Sequence, residues 1–371
     1  MKLRTAIGQT GNLSVFGAKF TSLSPANING LGGALLTNVR GVDDIEPETQ
    51  TEIEAGIDAS LASGFASVEF TLYQKKVDDL LLQRELEPST GFSAESFNAG
   101  ELRNRGIELS INMFPVSTRN FDWSATLNYW KNESKITDLP VPAFDVAGFG
   151  TSLGVFRIEE GKSATQIVGI DPRVDDNGDL VTDAAGNPII ETKKLGEGEA
   201  DFNMSFSNSI KFYKNFELDF LFHWKKGGDN INLSELLFDL NGTSNDFDDT
   251  DKPVTDARLE AAGIAANTPN GPTRLSLLGT SSAHMIQDAS YLRLREIGLH
   301  YTIPLNFTSS YLSALKQVKV GVSANNILTI TPYDSFDPEV SNFGNSAVGR
   351  GIEVTPFPAT KEFYFHVNVD F

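Results

Sequence analysis

The 371 residues contain no cysteine, which excludes a disulfide framework and any thiolate site. Histidine is scarce, and His223, His284, His300 and His366 give no metal-ligand spacing, so no metal is assigned. Lysine and arginine number 30 against 49 aspartates and glutamates. The formal net charge of −19 argues against nucleic-acid binding, which rests on cations neutralising phosphates. No stretch of about 18 uncharged apolar residues occurs, so no transmembrane helix is expected. No Ser/His/Asp arrangement, carboxylate pair or phosphate-binding glycine loop stands out, so neither a catalytic residue nor a cofactor site is assigned and the chain is not read as an enzyme. The opening Met1-Lys2-Leu3-Arg4-Thr5 lacks the apolar core of a signal peptide.

What the chain has in abundance is phenylalanine, 26 residues, and period-two alternation. Phe363, Phe365, Val367, Val369 and Phe371 alternate with Tyr364, His366, Asn368 and Asp370. Phe216, Leu218, Phe220, Phe222 and Trp224 alternate with Glu217, Asp219 and His223. Phe121, Trp123, Ala125, Leu127 and Tyr129 do the same against Asp122, Ser124, Thr126 and Asn128. Similar runs near 3–9, 51–61, 66–74, 107–113, 202–212, 289–303 and 318–324 bring the expected strands to ten. In the run 289–303 the apolar residues change parity after Leu294, which a bulge near Glu296 would reconcile.

The links alternate in length. Short or moderate ones fall at 61–65, 115–120, 213–215 and 304–317; long polar ones fall at 11–49, 75–101, 131–200, 226–288 and 326–361. Short turns on one side and long loops on the other are the pattern of an outer-membrane barrel, whose strands need only about 9–11 residues to cross the bilayer. Five long structureless links are rare in a soluble domain. One face of each strand suits lipid, and the other suits a wet lumen. The expected fold is all-β, an antiparallel transmembrane β-barrel. A self-contained ten-stranded barrel acting as an adhesin, and a secreted carbohydrate-binding β domain, are the alternatives.

Five segments stand out in order along the chain: Lys2-Leu3-Arg4 through Gly8-Gln9-Thr10-Gly11-Asn12, Pro47-Glu48-Thr49 with Glu54-Ala55-Gly56-Ile57-Asp58, and Asn98 through Glu108. Asp288 through Glu296, and Asn325-Asn326 with Thr331-Pro332-Tyr333 and Asp337-Pro338-Glu339, complete the set. Together they resemble the C-terminal barrel of SusC/RagA-family TonB-dependent outer-membrane proteins of Bacteroidota. The resemblance covers nearly the whole chain. It implies nutrient import, of a glycan or peptide oligomer, through a plugged barrel of about 22 strands. It also implies a SusD-like lipoprotein lid, the TonB complex and the lipid bilayer as partners. Residues 1–371 are expected to be the C-terminal part of such a barrel, a fragment without plug or signal peptide. The final strand ending in Phe371 resembles the signal read by the barrel-assembly machinery.

Some motifs carry two readings. Asp171 to Asp183 invites a calcium loop, but Arg173 and Ala184 fall where carboxylates are needed, so a hairpin with an Asn-Gly corner is expected. The acidic run Asn245 to Asp251 is expected to be a solvated loop. Trp123, Trp130 and Trp224 are expected in aromatic belts, with stacking on a sugar as the alternative. Arg293, Arg295 and Glu296, and Arg103, Arg105 and Glu108, are expected as lumen-facing or rim ion pairs. The substrate-binding residues are not legible.

Overall fold

A computed structural model describes residues 1–371 apart from 15, 62–63, 305–314, 340, 344–348 and 358. One ten-stranded sheet dominates it. Its strands are β1 (Lys2–Asn12), β2 (Glu48–Leu61), β3 (Ala66–Asp78), β4 (Glu101–Ser117) and β5 (Phe121–Asp138), then β6 (Phe202–Phe212), β7 (Phe216–Lys226), β8 (Tyr291–Ile303), β9 (Gln317–Ile330) and β10 (Glu362–Asp370). Each pairs only with its neighbours in the chain, always antiparallel. The sheet stays open, with β1 on one edge and β10 on the other.

All ten expected strands are present, and several run further than their alternation. β4 begins at Glu101 and β5 continues to Asp138. The extensions lie at the long-loop end, where both faces meet water and no apolar parity is required. The moderate link 304–317 lies largely outside the described residues. The bulge in β8 is at Arg295: Leu221 and Phe222 are consecutive on β7, yet pair with Glu296 and Leu294. On the other side Asn326, at φ 54°, absorbs the matching irregularity in β9.

Register assigns the faces. Row by row, Phe121, Phe212, Phe216 and Tyr301 lie side by side on one face. Tyr129, Met204, Trp224 and Leu292 form another row of the same face. The Phe212 and Phe216 rings stack at 5.4 Å, and Phe216 meets Tyr301 at 4.7 Å. Near the other end Phe202 bridges Tyr129 at 5.5 Å and Trp224 at 5.0 Å. These are two aromatic girdles eight residues apart along β7. At about 3.4 Å per residue and a tilt of about 40°, that is roughly 21 Å along the barrel axis, close to the apolar band of a membrane barrel. Between the girdles the exposed residues are Leu, Ile, Val and Phe.

The opposite face is polar and holds ion pairs and hydrogen bonds, among them Arg4–Asp58 at 2.9 Å and Lys319–Glu217 at 2.5 Å. Glycine makes room here. A Cβ on Gly106 would meet the Tyr73 ring at 2.2 Å, and that ring donates its hydroxyl to Asn132 at 2.9 Å. Gly321 likewise lies against the His300 ring, whose neighbour across β9 is His366, 5.3 Å away.

The two faces predict opposite responses to charge. Phe220→Arg, mid-band on the apolar face, is expected to cost about 2–4 kcal/mol, whereas Asp219→Arg on the polar face costs little. Urea midpoints of protein refolded into vesicles separate the two.

Candidate binding vestibule

The long links are folded, contrary to the expectation of structureless loops. Residues 139–201 build a four-stranded sheet, Phe144–Gly148, Val155–Ile158, Gln166–Pro172 and Ile190–Glu197. Asp229–Asn232 pairs with Ile286–Asp288 and with Ile352–Glu353. Phe156, Ile167, Ile231, Leu233, Met285 and Ile352 bury one another. This single core draws on three loops, and it ties them into one cap over the polar face.

Buried charge fixes the cap. Arg274, on the short helix Asn270–Ser276, is 3% exposed. Its guanidinium donates to Asp239 at 2.6 and 2.7 Å and to Asp246 at 2.8 Å. Asp251 accepts from Asn270. The acidic run is therefore not simply a solvated loop: Asp246 and Asp251 fold back onto Arg274 and its helix. Burial pushes the Glu235 carboxyl up to about 7, against the pull of Arg274, with Asp239, Asp334 and Asp246 adding to the rise. Burial also lowers His284, to about 4, between Arg274 and Arg258. Asp171 is buried too, but bonds from Arg258, Ser281 and Lys193 overcome that penalty and hold its carboxyl below the usual range. The rest of the suspected calcium segment is two Asx turns. Asp175 Oδ1 accepts from Asn177 and Asp179, and Asp183 Oδ1 from Ala185 and Asn187, with Gly178 and Gly186 at positive φ. Among the described residues no cluster suited to a metal occurs.

The cap is anchored to the wall of the sheet by the expected arginines. Arg293, 4% exposed, meets Asp337 at 2.6 Å and Glu339 at 2.6 Å; Arg295 also pairs with Glu339. Asn230 donates to the Pro338 carbonyl at 3.0 Å. Where cap and wall meet, two adjoining cavities of about 610 and 710 Å³ share Glu199 and Arg350. The first is also lined by Trp130, His223, Lys225 and Tyr291. Trp130 stacks on His223 with centroids 5.8 Å apart and stays 38% exposed. The His223 ring is held by Tyr291 at 3.1 Å and Arg295 at 2.9 Å. Among the described residues neither Lys225 nor Arg350 has a carboxylate within 4.0 Å. An aromatic face beside Lys225, Arg350 and the amide of Asn203 suits a polar ligand with rings or planar groups.

Comparison with known proteins bears on the fold. Residues 2–156 match the family described as TonB dependent receptor-like, beta-barrel. A TonB-dependent receptor of Formosa agariphila is 28% identical over the whole chain, which covers 39% of that protein. The receptor SusC of Bacteroides thetaiotaomicron is 27% identical over 89% of the chain and 32% of its own length. The structure of the RagAB peptide importer in its closed-closed state superposes with a TM-score of 0.71 at 21% identity, covering 99% of this chain and 40% of that one. Over nearly its whole length the chain has the fold of the corresponding part of that importer. The chain spans about two fifths of the length of the first of these relatives.

Within this sheet the tryptophans separate. Trp123 and Trp224 share the lipid-facing parity, Trp224 in the girdle and Trp123 donating to Asn208 at 3.0 Å. Trp130 does not belong to a belt: it pairs in register with Glu108 and Asn203 on the lumen face. Arg103 and Arg105 face outward above the apolar band, with Glu101 at 3.2 Å and Gln74 at 2.8 Å as their partners.

Glu235 makes the cap pH-sensitive in an unusual direction. Its folded carboxyl holds a proton up to about pH 7, whereas the unfolded one releases it near its ordinary value of 4.5. Its contribution is therefore full below about pH 4.5 and is lost as pH rises towards 7. Hydrogen-exchange protection of residues 233–240, relative to the intrinsic rate at each pH, is expected to fall over that window, and Glu235→Gln is expected to flatten the dependence.

Proposed function

We propose that this chain forms part of the wall and mouth of a TonB-dependent outer-membrane importer of the SusC type. Its cargo is a nutrient oligomer, glycan or peptide, that enters from the loop side. The observation that carries the reading is the vestibule itself. It opens between the cap and the lumen face and is lined by Trp130, His223, Lys225 and Arg350 instead of by a packed apolar core. The likeness to a TonB-dependent receptor named SusC and to the RagAB peptide importer supports the import reading.

The sheet's two open edges bear on how the wall is completed. An unpaired strand edge is not tolerated in hydrocarbon. In this reading β1 and β10 pair with further strands of a larger barrel, of which residues 1–371 are the C-terminal arc. A self-contained ten-stranded adhesin would instead need β1 against β10. Energy coupling comes from the TonB complex, and the apolar face of β10 supports recognition by the barrel-assembly machinery.

A lid partner has a candidate contact. The hairpin Leu23–Ile28 with Leu31–Leu36 lies in the first long loop, and its leucines and isoleucine are exposed, Leu23 at 64% and Leu31 at 74%. Apolar surface outside the bilayer is costly unless covered. A SusD-like lipoprotein seated on the mouth would cover it.

Deleting the gene is expected to abolish growth on one class of oligomer, and complementation to restore it. Trp130→Ala in the complementing copy removes about 1 kcal/mol of ring contact, roughly five-fold in uptake below saturation. Excision of Leu23–Leu36 is expected to release the lipoprotein on purification. Undiminished uptake of every oligomer after deletion contradicts the import reading.

A further inference from the structure

The outward face carries a feature that import does not use. Directly above the apolar band, β3, β4 and β5 present cations in register. Lys76, Arg103 and Lys135 form one row, with Arg105 beside Gln74 and Glu133 in the next, and Lys131 beside Ile107 in the row below. Five cations therefore stand on three adjacent strands of a chain whose net charge is −19. The carboxylates among them are Asp78, Glu101 and Glu133, and they neutralise only part of the patch. Lys76 meets Asp78 at 2.7 Å and Glu101 at 2.8 Å, and Lys131 meets Glu133 at 2.6 Å. Arg105 spends only its Nε, on Gln74, and Lys135 has no carboxylate within 4.0 Å among the described residues.

Beneath these cations the band is notched. A groove of about 450 Å³ has Ile53, Ala55, Leu72 and Ile107 as its apolar wall, and Arg105, Lys131 and the carboxylate of Glu133 on its rim. The notch exists because Ala55 is small between Ile53 and Ile57, so the wall recedes beside Leu72. An apolar channel whose rim carries more cations than carboxylates, at the long-loop boundary of the band, matches an acyl chain beneath an anionic headgroup.

We propose that this groove holds a lipid whose phosphorylated headgroup is net anionic, its phosphate on Arg105, Lys131 and Lys135 and one acyl chain along Leu72 and Ile107. The partner is a lipid, not free phosphate, because the apolar wall is continuous with the lipid-facing band. Such a contact would pin the barrel's tilt and depth at the wall that carries Trp130 on its other side.

The test is native mass spectrometry of the full-length transporter, delipidated in mild detergent and offered diphosphoryl lipid A or phosphatidylethanolamine. Lipid A is expected to be retained over phosphatidylethanolamine, with about five-fold loss per cation removed in R105Q, K131Q and K135Q. Ala55→Phe fills the notch without touching charge and is expected to displace lipid A as well; unchanged heat-modifiable mobility shows that each variant is folded. Equal retention of the two lipids, retention of lipid A by the triple variant, or full displacement by inorganic phosphate overturns the proposal. None of these outcomes depends on which cargo the vestibule takes.

Discussion

The constraint beneath the whole structure is that hydrocarbon offers no partner to a peptide group. Every strand of the sheet must therefore be paired along the length that crosses the bilayer, and nearest-neighbour antiparallel pairing is how the chain achieves this. Pairing then fixes side-chain parity, because a slip of one residue would turn the lipid face into the lumen. The β8 bulge shows how strictly parity is kept. The extra residue at Arg295 lets Leu292 and Leu294 share a face with Ile297 and Leu299. It also leaves Arg293 and Arg295 both able to reach Glu339 from the polar side.

From that constraint the cap and vestibule follow. A polar lumen face can hold charges that lipid would punish, and the cap is attached through them, by Arg293 to Asp337 and Glu339. The cap keeps its own shape by a small shared core and by Arg274 buried among carboxylates. Such a buried pair is weak evidence for net stability, since desolvation offsets much of the attraction. Its consequence is geometric: it holds the run 245–251 against the helix Asn270–Ser276. The resulting mouth combines Trp130 and His223 with Lys225 and Arg350, a combination that suits binding.

Legibility in the sequence followed the same physics. The strands were readable wherever one face meets lipid, and unreadable beyond the band, as at 101–106 and 130–138, where both faces are wet. Within the cap the alternation is short and broken, so its small sheets left no signal. Asp337-Pro338-Glu339 was visible as a motif, but its bond to Arg293 joins residues 44 apart and needed coordinates. Trp130 is instructive in the other direction. Phe121, Trp123 and Tyr129 are odd-numbered and Trp130 is even, so its lumen placement was already present in the parity that identified the strand.

The most direct test of the two-faced wall uses the absence of native cysteine. Single cysteines placed along Phe216–Lys226 in the outer membrane can be probed in turn with a water-soluble maleimide and with a lipid-phase quencher of an attached fluorophore. The account predicts that positions 217, 219, 221 and 223 react with the maleimide, while 216, 218, 220 and 222 report only the lipid phase. Equal reactivity of the two series with the water-soluble reagent would contradict it.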